Sequence, residues 1–502
     1  MTCYVKSWMC LLLFLVFSVT TVLAQDSTVS AEIRVEGTLI SGDHVPFWLR
    51  ANQYGSVPYG NGSGSVIGGL HKYYTTDTED KPLFDWGGGL EIRADMGSKA
   101  RATIIEGYLK GAFSIFELKV GRSKSTVGLV DTSLSTGSFV ASGNALGIPK
   151  AEISIPEYYT IPILGGALAF KGSFGFGLIG KVPIQYGSGP DSLKTYYHQA
   201  SFYGRLGADD WRVHLFAGFN HQVFFGGEKE IWKNQWNLST FKTLEYVALG
   251  KTWNSSKIGN HLGSIDLGIS YDFDGLRVFA YRQNFYDEGA LFHLANIRDG
   301  LNGLSVTNTS DATDGFRWNK VLLEFLCSTN QAGYPWSKFT KSGDEDYYNN
   351  YEYSQGYSYK GMGLGNPLMT TRNDIRSGLP QDPHQYFNNN RVLALHLGFD
   401  CSINSLEITT KLTCSRNYGT FTTSIYGGST GHQRSPPRYG IFPEVNEASG
   451  YLMVSNTFEN GFKLGCAIAV DRGDLLYNSS GIVLKLSKTF FGSYRRPSMY
   501  ND

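Results

Sequence analysis

The chain has 502 residues, and its 44 acidic and 44 basic side chains give a formal net charge of zero at neutral pH. A balanced charge gives no electrostatic reason to expect nucleic acid as a partner. The 60 glycines, 31 tyrosines and 31 phenylalanines, with only 18% charged residues, favour strands and turns over helices.

The N-terminus has the pattern of a secretory signal peptide. Lys6 is followed by the apolar run LLLFLVFSVTTVLA, which ends in small residues before Gln25. We expect cleavage near Ala24, which removes residues 1–24 and leaves one domain over residues 25–502. Beyond the signal peptide no run approaches the roughly 20 apolar residues that a membrane helix requires, so membrane proteins built from helices are excluded.

The segment HVPFWLRANQYGSVP follows the short alternating run AEIRVEGTLI and fits neither a strand nor a helix. Between two prolines it carries aromatic, amide and guanidinium side chains, namely Phe47, Trp48, Arg50, Asn52 and Tyr54. We interpret residues 25–85 as a periplasmic, plug-like region with the first strand. The motif is then an element that closes the mouth of the barrel that the later strands predict, with contact to a ligand as the alternative.

Several later segments alternate apolar and polar side chains, as strands with one apolar face do. They are TYYHQASFYGRLG, DDWRVHLFAGFNHQVFF, SIDLGISYDFDGLRVFAYR and RVLALHLGFDCSINSLEITTKLTCS. In the second, Val213, Leu215 and Phe219 share one face. Residues 207–210 and the pair Asp274–Gly275 predict tight turns between neighbouring strands.

Long strands of this kind suit a secreted sandwich or solenoid, or a barrel whose apolar face meets lipid. Three features favour the barrel. Tight turns alternate with long loops, aromatic residues cluster near strand ends, and SGIVLKLSKTFF resembles the aromatic-ended last strand of bacterial barrels. Because a chain that crosses lipid without apolar helices must satisfy its backbone in a closed sheet, we predict an all-β, antiparallel barrel in the outer membrane.

Residues 328–390 form a long region rich in tyrosine and asparagine. If RWNKVLLEFLC and the strand that begins at Arg391 both descend, a rising strand must lie between them, and YEYSQGYSY is the best candidate. Its tyrosines at alternate positions would line one face, either as an aromatic ladder in the lumen or as an interfacial girdle.

The same region suits contact with a glycan, because sugars offer apolar C–H faces to aromatic rings and hydroxyls to amides and guanidinium groups. The candidate contacts are Tyr347, Tyr348, Tyr351, Tyr353, Tyr357, Tyr359, Arg372 and Arg376. A polar extracellular loop without a ligand is the alternative.

No catalytic or metal-binding pattern is convincing. GFGLIG at residues 175–180 matches a dinucleotide fingerprint, but no helix signal follows it. His198 and His214 fall on opposite strand faces, which argues against a metal site. The cysteines beyond the signal peptide, Cys327, Cys401, Cys414 and Cys466, lack paired spacing. We therefore predict no enzyme activity, cofactor, metal or disulfide framework, with an outer-membrane hydrolase as a minor alternative.

Several stretches resemble the capsule assembly Wzi-like outer-membrane proteins of Bacteroidetes-type bacteria. In order, they are PFWLRANQYG, FELKVGRSK, STGSFVASGNALGIPK, HQASFYGRLG, GFNHQVFFGG, DYYNNYEYSQGYSYKGMGLGNPL and NNNRVLALHLG, and they span Pro46 to about Gly398. One departure is FFGG at residues 224–227, where a tryptophan is expected before the glycines.

The resemblance implies a monomeric barrel of about eighteen strands in a Gram-negative outer membrane, with helical elements near the periplasmic end. It also implies a lectin-like role without catalysis. We therefore expect a protein that contacts the lipid bilayer, binds capsular polysaccharide and assists capsule assembly and attachment. A general porin or solute channel would use the same barrel with an open lumen.

Overall fold

The computed structural model describes residues 28–490 apart from 61, 76–81, 98–99, 186–189, 255, 288, 311–314, 335–344 and 431–432. The predicted signal peptide and the tail from residue 491 onward lie outside the described residues. In the described part of the chain, no helix has the length and apolar character needed to cross a membrane.

Eighteen antiparallel strands form one closed sheet. They are β1 (Val29–Ser41), β2 (Ser63–Lys72), β3 (Phe84–Met96), β4 (Arg101–Phe113), β5 (Phe116–Arg122), β6 (Lys150–Thr160), β7 (Leu168–Pro183), β8 (Ser192–Leu206), β9 (Val213–Phe225), β10 (Asn260–Phe273), β11 (Leu276–Tyr286), β12 (Gly300–Asn308), β13 (Phe316–Cys327), β14 (Val392–Ile403), β15 (Leu406–Asn417), β16 (Val445–Thr457), β17 (Phe462–Gly473) and β18 (Ser479–Thr489). Pairing of β1 with β18, in which Glu32 lies opposite Thr489, closes the barrel. The closed antiparallel barrel confirms the predicted fold class.

Exposed apolar side chains alternate with buried ones along the strands. In β9, Val213, Leu215 and Phe219 are 38%, 44% and 45% exposed, whereas His214 and Phe216 between them are buried. Similar rows of Leu, Ile, Val and Phe cover the outside of the other strands. An apolar exterior of this kind is what a barrel presents to lipid.

The two ends of the barrel differ. The turn end carries the first residue of β1, the last residue of β18 and short turns such as 114–115, 274–275 and 404–405. The loop end carries the longer connections, which are 42–62, 123–149, 226–259, 287–299, 328–391 and 418–444. In outer-membrane barrels the short turns face the periplasm and the long loops face outward.

The helices are short and lie in the loop-end connections. They are α1 (Phe47–Arg50), α2 (Glu228–Trp232) and α3 (Thr240–Leu249). The 3-10 turns are Leu164–Gly166 at the turn end, and Lys233–Gln235 and Ala290–His293 at the loop end. The expected position of helical elements near the periplasmic end is therefore wrong, because the described connections at the turn end are mostly short turns with one 3-10 turn. Small two-stranded ribbons pair Thr252–Trp253 with Ser256–Lys257, Ser358–Tyr359 with Met362–Gly363, Thr370–Thr371 with Phe387–Asn389, and Gly428–Thr430 with Gln433–Ser435.

Strand β12 corrects the predicted strand order. Sequence reasoning assigned about residues 286–316 to one loop, but β12 lies within it, so β13 runs from the turn end to the loop end. The predicted rising strand YEYSQGYSY is therefore wrong, because β13 pairs directly with β14. The pattern of β12 was obscured because its inward residue Leu301 is apolar and fully buried, whereas the next residue, Asn302, is polar.

Three loop-end connections fold back into the lumen. We call residues 42–62 the N-terminal segment, 123–149 the inner segment and 345–391 the Tyr/Asn-rich segment. A continuous buried cluster joins all three to the inner faces of strands from β7 to β18. The interpretation of residues 25–85 needs correction, because this region contains all of β1 and β2 and its motif enters from the loop end.

The connection 226–259 packs on the outside of the barrel instead. Val223 and Phe225, at the loop end of β9, are buried with Val247 of α3 and Ile258 in a separate apolar cluster. The sequence predicted that His198 and His214 lie on opposite faces, and the structure agrees. The His198 ring lies near Phe174 and Phe176, whereas His214 shares the buried inner face with Phe216.

The cysteines have the state that their spacing predicted. Cys327, Cys401, Cys414 and Cys466 are all free, so no disulfide joins them. Cys414 is exposed on the outer face of β15 and Cys401 is buried.

Candidate functional site

The aromatic part of the N-terminal motif lies inside the barrel. The backbone N–H of Phe47 donates to Asp471 Oδ2 at 2.7 Å, and Trp48 Nε1 donates to Thr413 Oγ1 at 3.2 Å. Phe47 and Trp48 are 2% and 3% exposed, and the Trp48 ring lies 5.2 Å from His396. The prolines and the short helix between them thus direct two large rings against β14, β15 and β17.

Arg50 ties the N-terminal segment to the Tyr/Asn-rich segment. Its Nη1 lies 2.9 Å from Asp374 Oδ1, and both side chains are largely covered. Burial alone would lower the pKa of Arg50, but the adjacent Asp374 carboxylate raises it, so the guanidinium stays charged. A buried ion pair of this kind fixes the relative position of two segments.

Asn52 and Tyr54 tie the N-terminal segment to the inner segment. Both have positive φ angles, of 56° and 51°, which place the chain in the tight turn after α1. Asn52 Nδ2 donates to Thr136 O at 2.9 Å, and the backbone N–H of Tyr54 donates to Gly143 O at 2.7 Å. The motif is therefore built from contacts between segments.

Buried polar side chains of the barrel wall hold the inner segment. Glu324 accepts hydrogen bonds from Ser135 Oγ at 2.6 Å and from the backbone N–H of Thr136 at 2.7 Å. On β10, Asp266 accepts from the backbone N–H of Leu129 at 2.8 Å. Gln283 of β11 accepts from the backbone N–H of Phe139 at 3.1 Å. Buried polar groups must be paired, so these wall residues specify where the segment sits.

Five of the six candidate tyrosines are part of this packing. Tyr347, Tyr348, Tyr353, Tyr357 and Tyr359 are at most 4% exposed. Tyr347 OH donates to Asp299 Oδ2 at 2.9 Å, and Tyr357 OH donates to Val140 O at 2.8 Å. Tyr348 OH donates to Phe139 O. Burial raises the pKa of Tyr347, Tyr348 and Tyr357 well above the usual value, so these phenols remain neutral donors.

A ring without exposed surface cannot stack on a sugar. The predicted contact with a glycan is therefore wrong for those five tyrosines. Tyr351 differs, because it is 61% exposed at the loop end. Arg376 Nε donates to Leu476 O at 2.6 Å, which clamps the Tyr/Asn-rich segment to the connection between β17 and β18. Arg372 donates to Pro383 O at 3.1 Å and stays half-buried near the surface.

A different group of residues forms a polar and aromatic surface at the loop end. We call it the loop-end patch and define it as Tyr59, Arg372, Asn373, His384, Tyr386 and Tyr439. The Arg372 guanidinium lies 5.6 Å from the centre of the Tyr386 ring, and Asn373 Nδ2 donates to Tyr386 OH at 3.0 Å. The His384 and Tyr439 rings lie 5.9 Å apart.

The patch combines aromatic ring faces with hydrogen-bond donors and acceptors. These groups can bind hydroxyls without a change in their protonation state. Tyr59 and Tyr439 are 38% and 37% exposed. Burial, and then the Asp374 carboxylate, raise the pKa of Tyr386 to about 12, so its phenol is a neutral group. Arg50 lies 5.3 Å from the Tyr59 ring centre and supports that ring from beneath.

The sequence did not identify Tyr59, Asn373, His384, Tyr386 or Tyr439 as candidates. Nothing in the local sequence separates them from the buried tyrosines, because both kinds lie beside amides, glycines and prolines. Exposure depends on which segment covers which ring, and that is decided by contacts between residues distant in sequence.

One group in the described residues has the geometry of metal ligands. Ligand atoms of His71, Glu91 and Glu106 lie within 4.8 Å of one another on the inner wall. Lys124 of the inner segment reaches the same place, with Nζ 2.5 Å from Glu91 Oε2 and its backbone N–H 2.8 Å from Glu106 Oε1. An ammonium group therefore balances the two carboxyl groups where a cation would bind.

Comparison with known proteins places the fold. No family model and no curated protein matches the chain. A solved structure of Wzi, an outer membrane protein involved in group 1 capsule assembly in Escherichia coli and a carbohydrate-binding β-barrel, is similar at 12% identity and a TM-score of 0.54. The match covers 92% of this chain and 85% of Wzi.

Two solved structures of Pseudomonas aeruginosa proteins are also similar, with lower TM-scores. OccK10 (OpdN) matches at 13% identity and a TM-score of 0.42, over 92% of this chain and 98% of that one. OccD3 (OpdP) matches at 10% identity and a TM-score of 0.44, over 94% and 92%. At such identities the comparisons establish the fold alone, and that fold is a Wzi-like outer-membrane β-barrel.

Proposed function

We propose that this protein is an outer-membrane barrel that binds capsular or other surface polysaccharide non-covalently and helps to keep the capsule attached to the cell. The observation that carries the proposal is the filled lumen, whose packed loop-end side presents the loop-end patch. On this proposal the chain is a monomeric, Wzi-like capsule assembly protein of the Bacteroidetes type, exported with residues 1–24 as its signal peptide.

The chemistry of the loop-end patch suits a neutral or weakly charged sugar chain. Ring faces such as those of Tyr59 and Tyr439 can stack against the C–H faces of pyranose rings. Asn373, Arg372 and His384 supply hydrogen-bond donors and acceptors for hydroxyl groups. These groups are held by backbone and side-chain contacts, so little ordering is required on binding. The carbohydrate binding attributed to Wzi, which shares the fold, agrees with this use.

The packing of side chains inside the barrel argues against an open porin. Three segments meet in one buried cluster that reaches wall strands from β7 to β18. On the other side, Arg122 of β5 donates to Tyr359 OH at 3.0 Å, and Arg101 of β4 donates to Ser56 O at 2.6 Å. A route for solutes would require these contacts to open. We propose binding without turnover.

Binding by the loop-end patch can be measured directly with purified protein and capsular polysaccharide from the source strain. Replacing Tyr386 and Tyr439 by Ala removes two rings, each worth about 0.5–1.5 kcal/mol in aromatic contacts. We expect the double variant to bind roughly five- to 150-fold more weakly. Phe292→Ala is the matched control, because Phe292 is 89% exposed in another loop-end connection. Equal binding by the double variant and wild type would reject the patch.

Cells provide the second test. A strain with the double variant should shed capsule into the medium, while the Phe292→Ala strain should retain it. In liposomes, the purified wild type should not pass small sugars. Large and stable passage of sugars would favour the porin alternative, and a deletion strain that keeps all its capsule attached would contradict a role in attachment.

A further inference from the structure

The turn-end half of the lumen contains two cavities that the packed segments leave open. Their volumes are about 250 Å³ and about 270 Å³, and they lie on either side of the inner segment. Thr126, Val130 and Thr132 line both cavities, so the two are adjacent across one stretch of chain. Pockets for drug-sized ligands measure roughly 300–1,000 Å³, so each cavity suits one sugar ring.

The first cavity contains a lysine that the carboxylates of Asp131 and Glu324 attract only from beyond ion-pair distance. Lys411 and Tyr451 lie directly opposite each other on β15 and β16 and form its wall. The Lys411 Nζ lies 4.8 Å from the centre of the Trp48 ring. Within the described part of the chain, no hydrogen bond or ion pair reaches this ammonium.

The acidic residue that lines the same cavity is already engaged. Asp131 lies 2.8 Å from Lys320 Nζ, and its carboxylate accepts from the backbone N–H groups of Ser133 at 3.0 Å and Leu134 at 2.8 Å. The Lys320 side chain and these bonds offset the repulsion that Asp131 would exert on a second anion. Lys411 is thus the group on this wall that remains able to pair with a ligand carboxylate.

The second cavity has a wall of cations, rings and hydroxyls, and the acidic residue that lines it, Glu152, is already paired with Lys150 at 2.5 Å and lies 3.9 Å from Lys119. Lys171 Nζ lies 4.6 Å from the ring centre of Tyr158 and 5.6 Å from that of Tyr203. Lys171 and Tyr203 line the cavity together with Lys119 and Ser201. Aromatic rings beside cations and hydroxyls are the groups that a carboxylate-bearing sugar requires.

We propose that these two cavities form a binding site for an acidic saccharide, with one sugar carboxylate paired with Lys411 and sugar rings held on either side of the inner segment. We call this site the turn-end site. Trp48 covers it from the loop side, because its indole bonds to Thr413, two residues nearer the loop end than Lys411. The Trp48 motif therefore forms the roof of a ligand site as well as closing the lumen.

The turn-end site is separate from the loop-end patch, since the packed segments lie between them. Purified full-length protein in detergent is titrated by calorimetry with a disaccharide that contains one glucuronate, and with the same disaccharide after reduction of its carboxyl group. We expect the acidic form to bind at least about tenfold more tightly, as loss of one charge-assisted hydrogen bond would give. Lys411→Met should remove that preference.

Two tryptophan variants of the inner segment test the position of the site. Ser133 lines only the first cavity and Ser125 only the second, and both belong to the same segment. Ser133→Trp should abolish the preference for the acidic disaccharide, whereas Ser125→Trp should weaken binding of the other ring and leave that preference in place. The difference in gel mobility between unheated and heated samples verifies that each variant folds.

Equal binding of acidic and neutral disaccharides, an unchanged preference in Lys411→Met, or no binding of either disaccharide would overturn the proposal. The variant that lacks the Tyr386 and Tyr439 rings should bind the disaccharide normally. If polysaccharide binding at the loop-end patch persists while the disaccharide fails to bind, only the turn-end site is rejected.

Discussion

Glu324 is the wall residue whose removal should most directly open the lumen. It lies in β13, is 1% exposed, and accepts hydrogen bonds from Ser135 Oγ, Thr136 N and Tyr281 OH at 2.6, 2.7 and 2.5 Å. Two of those donors belong to the inner segment. Glu324→Ala leaves all three donors without this partner and creates space in which the segment can move.

The size of the effect follows from these bonds. A buried donor without a partner costs about 1–3 kcal/mol. The hydroxyls of Ser135 and Tyr281 can turn toward water that enters the new space, whereas the backbone N–H of Thr136 cannot turn. Removal of a buried carboxyl group also recovers part of its desolvation cost. We therefore expect a net loss of about 3 kcal/mol, which raises the open fraction of the inner segment roughly 150-fold.

Two measurements test this expectation. Amide hydrogen exchange of residues 129–140 should accelerate in Glu324→Ala, and planar bilayer recordings should show ion currents that the wild type lacks. Glu407→Ala is the control, because Glu407 also lies on the barrel wall but pairs with Lys463 at 2.7 Å. Unchanged exchange in the Glu324 variant would refute the assigned anchor, and equally large currents in the wild type would refute a filled lumen.

Three further substitutions test polar side chains of the Tyr/Asn-rich segment. Tyr348→Phe removes the donor to Phe139 O and should lower the free energy of unfolding by about 1–3 kcal/mol. Tyr353→Phe should be neutral or stabilising, because that buried hydroxyl has no hydrogen-bond partner among the described residues. Chemical unfolding compares the two variants. Burial and then Glu228 raise the pKa of Glu352 to about 7 from a usual 4.5, so its stabilising contribution is complete below pH 4.5 and is lost as the pH rises through 7. Glu352→Gln should therefore match the wild type in thermal unfolding at acidic pH and exceed it by up to about 3 kcal/mol at pH 8, and equal midpoints at pH 8 would contradict this assignment.

The strands were the part of the fold most accessible from sequence. In β9 and β10 the outer face is apolar and the inner face is largely polar, so Val213, Leu215, Ile265 and Leu267 alternate cleanly with their neighbours. In β12 this contrast is lost, because Leu301 faces the buried cluster inside the lumen. The missed strand and the misplaced rising strand have this single cause.

The tyrosines show the limit of parity arguments. Alternate spacing predicted one face for Tyr351, Tyr353, Tyr357 and Tyr359, but the chain there consists mostly of turns and irregular segments. Tyr351 is therefore exposed while the other three are buried. Parity assigns faces only within a regular strand, and the sequence pattern did not reveal that this segment folds inside the barrel.

The sequence by itself determined the barrel, its antiparallel strands and the absence of disulfides, because each depends on alternation or spacing within a few residues. Only the tertiary structure decided which loops fill the lumen and which rings remain at the surface. Those outcomes depend on contacts such as Trp48 with Thr413, which are 365 residues apart, and Tyr348 with Phe139, which are 209 apart. A local sequence pattern does not identify such partners, since many polar and aromatic segments could fill the same space.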